Sequence, residues 1–411
     1  MMSAPGRPGS ARLPNHSQPA IPRSLLITPT SQLTMTKHSE SSETIRLACV
    51  VGARPNFMKM APLLRALDAH DHVQTSLVHT GQHYDASLSD VFFDELDMRR
   101  PDVSLGVGSG KHGQQTARVI EQFEEFLERG TEDGRPWSRV VVVGDVNSTM
   151  AAALAAVKLQ IPVAHVEAGL RSFDRSMPEE INRIVTDSIS DLLFVSEPSG
   201  VDNLDREGHP AEHVHLVGNV MIDTLQRLLP QAKGRNTLNR LDLKPGEYAV
   251  TTLHRPANVD SPDVLAGLLD VLIDASQHLP FVFPIHPRTK NRLEQMGLAD
   301  RLAKATGLKI LPPLGYLDFL SLTSQARAIV TDSGGLQEES TSLGIPCLTA
   351  RPNTERPVTV ESGTSTLVGN DPAKLRRHLH EILNGQYKPG SAPKLWDGQA
   401  ATRIAAILAN P

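Results

Sequence analysis

From residue 45 onward, short apolar runs rich in β-branched residues alternate with longer stretches of helical periodicity. The runs are TIRLACVVG, HVQTSLVHT, SRVVVVGD, IPVAHV, DLLFVS and HVHLVGN, followed by EYAVTTLH, FVFPIH, LKILPPL, ARAIVTDS, IPCLTA and TSTLVG. Helical patterns fall between them, for example over 55–70, 113–129, 148–159 and 335–343. A strand that is apolar throughout must be covered on both faces, and helices alternating with such strands make the sheets parallel. Roughly a dozen strands exceed one comfortable sheet, and the rhythm restarts after the polar stretch KGRNTLNRLDLKPGE. The expected fold class is therefore α/β, with two Rossmann-like domains in tandem. The change of domain is expected between about Val220 and Gly246.

The length of 411 residues agrees with two domains, each large enough for its own core. Net charge is 41 − 46 = −5, so no global basic field recruits nucleic acid or a membrane surface. No run approaches the ~18 consecutive apolar residues of a membrane span. Cys49 and Cys347 both sit inside apolar strand-like runs. Two buried thiols in so long a chain imply a reducing compartment, hence a cytoplasmic location, and no disulfide framework. Residues 1–44 differ from the rest: they are rich in Pro, Ser and Thr, with no acid before Glu40. That composition predicts a disordered extension, and its prolines spoil the amphipathic helix of a transit peptide.

In doubly wound sheets, ligands bind beyond the carboxyl ends of the strands, so the polar residues just after each strand carry the most weight. After the first strand comes GARPNFMKMAP, where Arg54 and Lys59 lie near a helix start that could hold an anion. Neither GxGxxG nor GxxxxGK[ST] follows that strand, which disfavours a dinucleotide site or P-loop. After VVVV comes GDVNST, with Asp145 at the strand end and Asn147 or Ser148 as a helix cap. The segment HVEAGLRSFDRSMPEEINR gathers Glu167, Glu179, Glu180, His165, Arg171, Arg175 and Arg183 in one connection. Pro178 starts a helix there, with Glu179 and Arg183 at i, i+4 on one face. TTLHRP and VFPIHPRT place His254, Arg255, His286 and Arg288 at two strand ends, but no HExxH or dense ligand grouping points to a metal. VTDSGGLQEESTSLGIP gives the sharpest local signal: Ser333, Gly334 and Gly335 open a helix whose free N–H groups suit phosphate oxygens. Glu338 and Glu339, one to two turns in, suit a ribose, whose hydroxyls a carboxylate accepts.

Together these stretches, with HTGQHYD, GNVMIDTL and NTERPVTVESGT, resemble the non-hydrolysing UDP-N-acetylglucosamine 2-epimerases, in family order from about residue 46 to the C-terminus. The resemblance implies a GT-B-like fold: residues 45–222 and 223–396 as two domains facing across a cleft, with a final helix at about 397–411 returning to the first. It also implies a homodimer, a UDP-sugar substrate and no cofactor or metal. By resemblance, Arg54, Lys59, His254, Ser333, Gly334, Gly335, Glu339 and Arg356 bind UDP. Asp145, Glu167, Glu179, Arg183 and His254 form the catalytic or sugar-contacting set. The implied reaction is C2 epimerisation of UDP-GlcNAc to UDP-ManNAc through loss and re-addition of UDP, serving polysaccharide precursors. A GT-B glycosyltransferase, a hydrolysing epimerase and a non-catalytic UDP-sugar sensor are the competing readings. One departure concerns regulation: the chain has His254-Arg255-Pro256-Ala257 where the family often has HRRE, and Gln82-His83-Tyr84-Asp85 where some regulated members have QHRE. Gln82, Arg118, Arg255 and His286 remain as candidate allosteric contacts, so activation by UDP-GlcNAc is expected to be weakened. An absolute requirement for added UDP-GlcNAc in the reverse reaction would contradict that.

Overall fold

The computed structural model of the protein describes residues 44–81 and 93–410. The predicted N-terminal extension (apart from Thr44), Gln82 and the stretch His83-Tyr84-Asp85 lie outside those residues. The apolar runs become two parallel sheets. The first contains β1 (Ile45–Val51), β2 (Val73–His79), β3 (Val103–Ser104), β4 (Arg139–Val143), β5 (Val163–Ala168), β6 (Leu192–Val195) and β7 (Val214–Leu216), in the order β3-β2-β1-β4-β5-β6-β7. The second contains β8 (Ala249–Thr252), β9 (Phe281–Pro284), β10 (Leu308–Leu311), β11 (Ala328–Thr331), β12 (Cys347–Thr349) and β13 (Ser365–Leu367), in the order β10-β9-β8-β11-β12-β13. Every apolar run singled out in the sequence forms a strand. Among the described residues the one strand not foreseen is β3, whose two residues pair with the end of β2 and carry no apolar run to announce them.

Both faces of each sheet are covered. On one face of the first, Leu47, Cys49 and Val51 pack with Met60, Leu63 and Leu67 of α1 (Arg54–Leu67). On the other, Val140 and Val142 meet Phe123 of α2 (His112–Arg129) and Ala152 of α3 (Asn147–Lys158). In the second sheet Phe281, Phe283 and Val330 pack on Leu265, Leu268 and Leu272, while Val250, Val282 and Ile329 face Leu322 and Leu336. Fully burying one such aliphatic side chain stabilises the fold by ~1.5–3 kcal/mol. Cys49 and Cys347 are buried free thiols within these cores, and burial pushes the Cys49 thiol up to about 12.

The strand order reverses between β1 and β4 in the first sheet and between β8 and β11 in the second. These are the switch points, where neighbouring connections diverge to opposite faces and leave a crevice at the strand ends. Four connections meet the crevices: Gly52–Ala53 before α1, Gly144–Val146 before α3, Leu253–Arg255 after β8, and Asp332–Ser333 before α7 (Gly334–Leu343, numbering the longer helices that frame the site). The others are α4 (Pro178–Ser188), α5 (Val220–Gly234), α6 (Tyr316–Thr323) and α8 (Ala400–Leu408). The two sheets face each other across a cleft, a GT-B-like arrangement. The chain's final helix packs back on the first sheet's core through Ile404 and Leu408. The Asp223 carboxylate of α5 accepts the Ala400 and Ala401 N–H groups at 3.2 and 2.7 Å, capping α8. His72 closes the far end, its Nε2 donating to the Ala409 carbonyl at 2.9 Å.

Candidate active site

A cleft of about 960 Å³ lies between the switch points. Lys59, Asp145, Glu179, Arg183, His254, Ser333, Gly334, Gly335 and Arg356 all line it, so residues scattered over some 300 positions of sequence converge there. Arg54 is the first residue of α1, and Pro55 beside it lines the cleft. Of the candidate allosteric residues, Arg255 and His286 line the cleft, whereas Arg118 donates from α2 to the Val107 carbonyl at 3.4 Å.

The first half contributes carboxylates. Asp145 follows β4 directly, and its side chain is paired with Arg183 of α4. Gly144, just before it, has φ 67, and a Cβ there would come within 2.9 Å of the Lys59 Nζ. A side chain there would be strained and would displace the Lys59 ammonium. Glu167 ends β5 with φ 77, a left-handed conformation for a residue with a side chain, beside a register shift between Val166 and Ala168. Such backbone costs ~1–3 kcal/mol and persists where surroundings impose it. The carboxylate so placed is 6% exposed and pairs with both Lys59 and Arg356.

The charged connection after β5 divides into two groups. His165 sits between Asp187 (2.6 Å) and the Gly144 carbonyl (2.8 Å), and Arg171 bridges Asp187 (2.7 Å) and Glu207 (2.6 Å), all behind the cleft. Burial works to raise the Asp187 pKa, but His165 and Arg171 hold it below the usual carboxylate range. Glu180 is buried too, accepting the Ser172 and Phe173 N–H groups at 2.9 and 2.8 Å and bonding Arg183 at 2.6 Å. Glu179 and Arg183 both line the cleft, as their shared helix face led one to expect; Arg183 takes Glu180 and Asp145 as partners, and the exposed Glu179 faces the cleft. The expected helix cap is corrected. Val146 precedes α3, while the Asn147 amide donates to Gln115 at 2.9 Å.

The second half contributes imidazole, backbone amides and a guanidinium. Asp332, at the end of β11, is fully buried and accepts the His254 and Arg255 N–H groups at 2.9 and 2.8 Å. It also pairs with His254 Nδ1 at 2.7 Å, which turns the other ring nitrogen outward, in a side chain that is 40% exposed. Burial works to raise the Asp332 pKa, yet the imidazole and the N–H donors hold it down. Ser333 is the N-cap residue of α7. A Cβ on Gly334 would meet Glu355 Oε1 at 2.9 Å, whereas Gly335 opens onto free space. Glu355 is clamped by Arg351 at 2.7 and 3.3 Å; against the upward push of burial, that pairing holds its pKa at about 2. Arg356, from the loop after β12, reaches Glu338 at 2.6 Å and Glu167 across the cleft.

Of the two adjacent acids in α7, Glu338 rather than Glu339 lines the cleft. Glu339 receives the Tyr316 hydroxyl at 3.2 Å, and burial pushes its pKa up to about 7. Sequence reasoning missed Tyr316 and Met221, which line the cleft from α6 and α5, because helix positions carry no strand-end signal. It also missed Glu355, although the residue adjoins Arg356. Burial disfavours charge throughout the central group: it pushes Lys59 and Arg356 down and Glu338 up, while Asp145 supports the charged form of both cations. Among the described residues no group of three His, Cys, Asp or Glu side chains is placed to hold a metal.

The family model described as UDP-N-acetylglucosamine 2-epimerase matches residues 65–409. A UDP-N-acetylglucosamine 2-epimerase of Methanocaldococcus jannaschii is 41% identical over 370 residues, covering 89% of this chain and 99% of that protein. A crystal structure of UDP-GlcNAc 2-epimerase from that organism, in complex with UDP-GlcNAc and UDP, has a TM-score of 0.80 at 40% identity, over 89% of this chain and all of the other. A Pseudomonas aeruginosa relative, UDP-2,3-diacetamido-2,3-dideoxy-D-glucuronate 2-epimerase, is 37% identical over 89% of this chain and 100% of its own length. With the model spanning most of the sequence and full-length relatives at these identities, the chain belongs to the non-hydrolysing UDP-N-acetylglucosamine 2-epimerase family.

Proposed function

We propose that the protein epimerises UDP-GlcNAc to UDP-ManNAc at C2, reversibly, and that UDP leaves and returns during turnover. The carrying observation is the division of labour across one cleft: Asp145 and Glu179 line one wall, with Glu167 buried against the cleft residues Lys59 and Arg356, and His254, Arg356 and the start of α7 line the other. The C2 proton is not adjacent to a carbonyl, so its direct removal is very difficult. Breaking the C1–O bond first places positive charge on the ring and acidifies C2–H. Lys59, Arg356, His254, Arg54 and the N–H groups at Ser333–Gly335 stabilise the departing diphosphate. The carboxylates stabilise the ring cation, take the C2 proton to leave 2-acetamidoglucal, and return a proton on the opposite face as UDP re-adds. Residues 45–222 with 397–411 form the sugar-side domain in this reading and 223–396 the nucleotide-side domain, and the product feeds assembly of cell-surface polysaccharide. The Pseudomonas relative's name supports a second reading, in which the hexose bears a 3-acetamido group and a C6 carboxylate. Incubation with UDP-GlcNAc in deuterated water tests the first: deuterium enters C2 as UDP-ManNAc forms. Release of free N-acetylmannosamine would instead show hydrolysis, and turnover of the uronate alone would establish the second reading.

A further inference from the structure

Glu167 sits where an anion belongs. One carboxylate oxygen meets the Lys59 ammonium from α1, and the other meets Nη2 of Arg356 from the opposite wall. Both cations line the cleft with Ser333, Gly334 and Gly335, where the function proposed above, on which this inference rests, puts the diphosphate. The left-handed backbone at Glu167 has a local purpose, since it delivers the carboxylate to that position. The other cleft ion pairs are held differently. Arg183 shares two carboxylates within the first half, and Arg351 holds Glu355 within the second. Glu167 alone of these carboxylates is bound by one cation from each side of the cleft. Both of its oxygens are occupied by cations, so neither is free to meet a sugar. A diphosphate offers more negative charge and more acceptor oxygens to the same donors.

We propose that Glu167 is an internal stand-in for the diphosphate: binding of the nucleotide sugar transfers Lys59 and Arg356 from Glu167 to the phosphates. The Glu167 carboxylate is thereby released toward the sugar only when a substrate is present. Arg356 keeps its Nε bond to Glu338, itself fixed by Asn219 at 2.7 Å, so the guanidinium stays oriented while Nη2 changes partner. Before the nucleotide arrives, Glu167 thus supplies the anionic partner of Lys59 and a second one for Arg356.

Calorimetry of UDP binding tests this. Glu167→Gln removes the competing anion, so UDP should bind about tenfold tighter than to wild type, although turnover falls. Glu179→Gln removes a negative charge from the same cleft at a side chain that pairs with neither Lys59 nor Arg356, and should leave UDP affinity within about twofold. Glu167→Asp keeps the charge but shortens the reach to two cations, and should tighten UDP binding by about threefold; it also serves if the glutamine variant does not fold. Unchanged or weaker UDP binding by the folded Glu167 variants overturns the exchange while leaving the functional reading intact. A wild-type protein that binds no UDP overturns both.

Discussion

The two walls of the cleft reach it in the same way, through strand ends at a switch point, yet they present different groups. The first wall offers side chains on positions that constrain the backbone: Asp145 after a glycine of φ 67, and Glu167 at a bulge with φ 77. The second offers a regular helix start, a buried aspartate that organises His254, and cleft-lining side chains on residues of negative φ. In the proposed reaction, proton transfer needs carboxylates at particular atoms, a placement that the unusual backbone at Gly144 and Glu167 serves. Holding the proposed diphosphate needs many donors spread over several oxygens, and a regular helix terminus offers them.

Substitutions on the two walls should therefore separate catalysis from binding. The largest effect belongs to the first wall: Asp145→Asn and Glu179→Gln should each lower kcat by ~10²–10⁴-fold, far more than they change UDP affinity. Steady-state rates with calorimetry decide this, and near-normal turnover in both variants would break the contrast. On the second wall, Gly334→Val drives a side chain into Glu355, which Arg351 prevents from yielding. UDP affinity should fall by about 10²-fold; a folded variant with wild-type affinity would remove the helix start from the site. The smallest effect tests the seam between the halves. Glu197, after β6, is buried and accepts the Ser199 hydroxyl at 2.7 Å and, across the seam, the Val358 N–H at 3.5 Å. Burial, chiefly, pushes its pKa up from 4.5 to about 7. A carboxyl whose folded pKa is raised binds its proton more tightly when folded, so its contribution is fully present below about pH 4.5 and is lost as pH rises through about 7. Glu197→Gln should abolish that loss. Melting curves at pH 5 and pH 8 should show its advantage over wild type only at the higher pH; equal differences at both would place the ionisation elsewhere.

Much of this architecture was legible in the sequence because its cause is local. A strand covered on both faces must be apolar along its length, so each run from IRLACVV to STL could be read without its partners. The strand-end rule then selected most of the residues lining the cleft. The sequence could not reveal pairing. Glu179 and Glu180 are neighbours with the same chemistry, yet one faces the cleft and the other is buried against Ser172 and Arg183. Glu338 and Glu339 exchange places in the same manner, decided by where Tyr316 and Arg356 arrive from distant segments. The mixture of charges after β5 looked like one functional cluster because sequence does not distinguish a salt bridge buried behind a sheet from one facing a cavity.

The return of the last helix to the first sheet has a consequence for how the protein is made. Leu408 and Ala409 belong to the same core as Leu47 and Met60, and Asp223 caps the helix that carries them. During synthesis, the first half therefore emerges from the ribosome early but with one side of its core uncovered. It waits for the entire second half to be translated before α8 can close it. A nascent chain shortened by this helix alone would keep every residue of the cleft and still expose apolar surface on α1, so premature termination near the end should be felt as aggregation rather than as loss of a catalytic group.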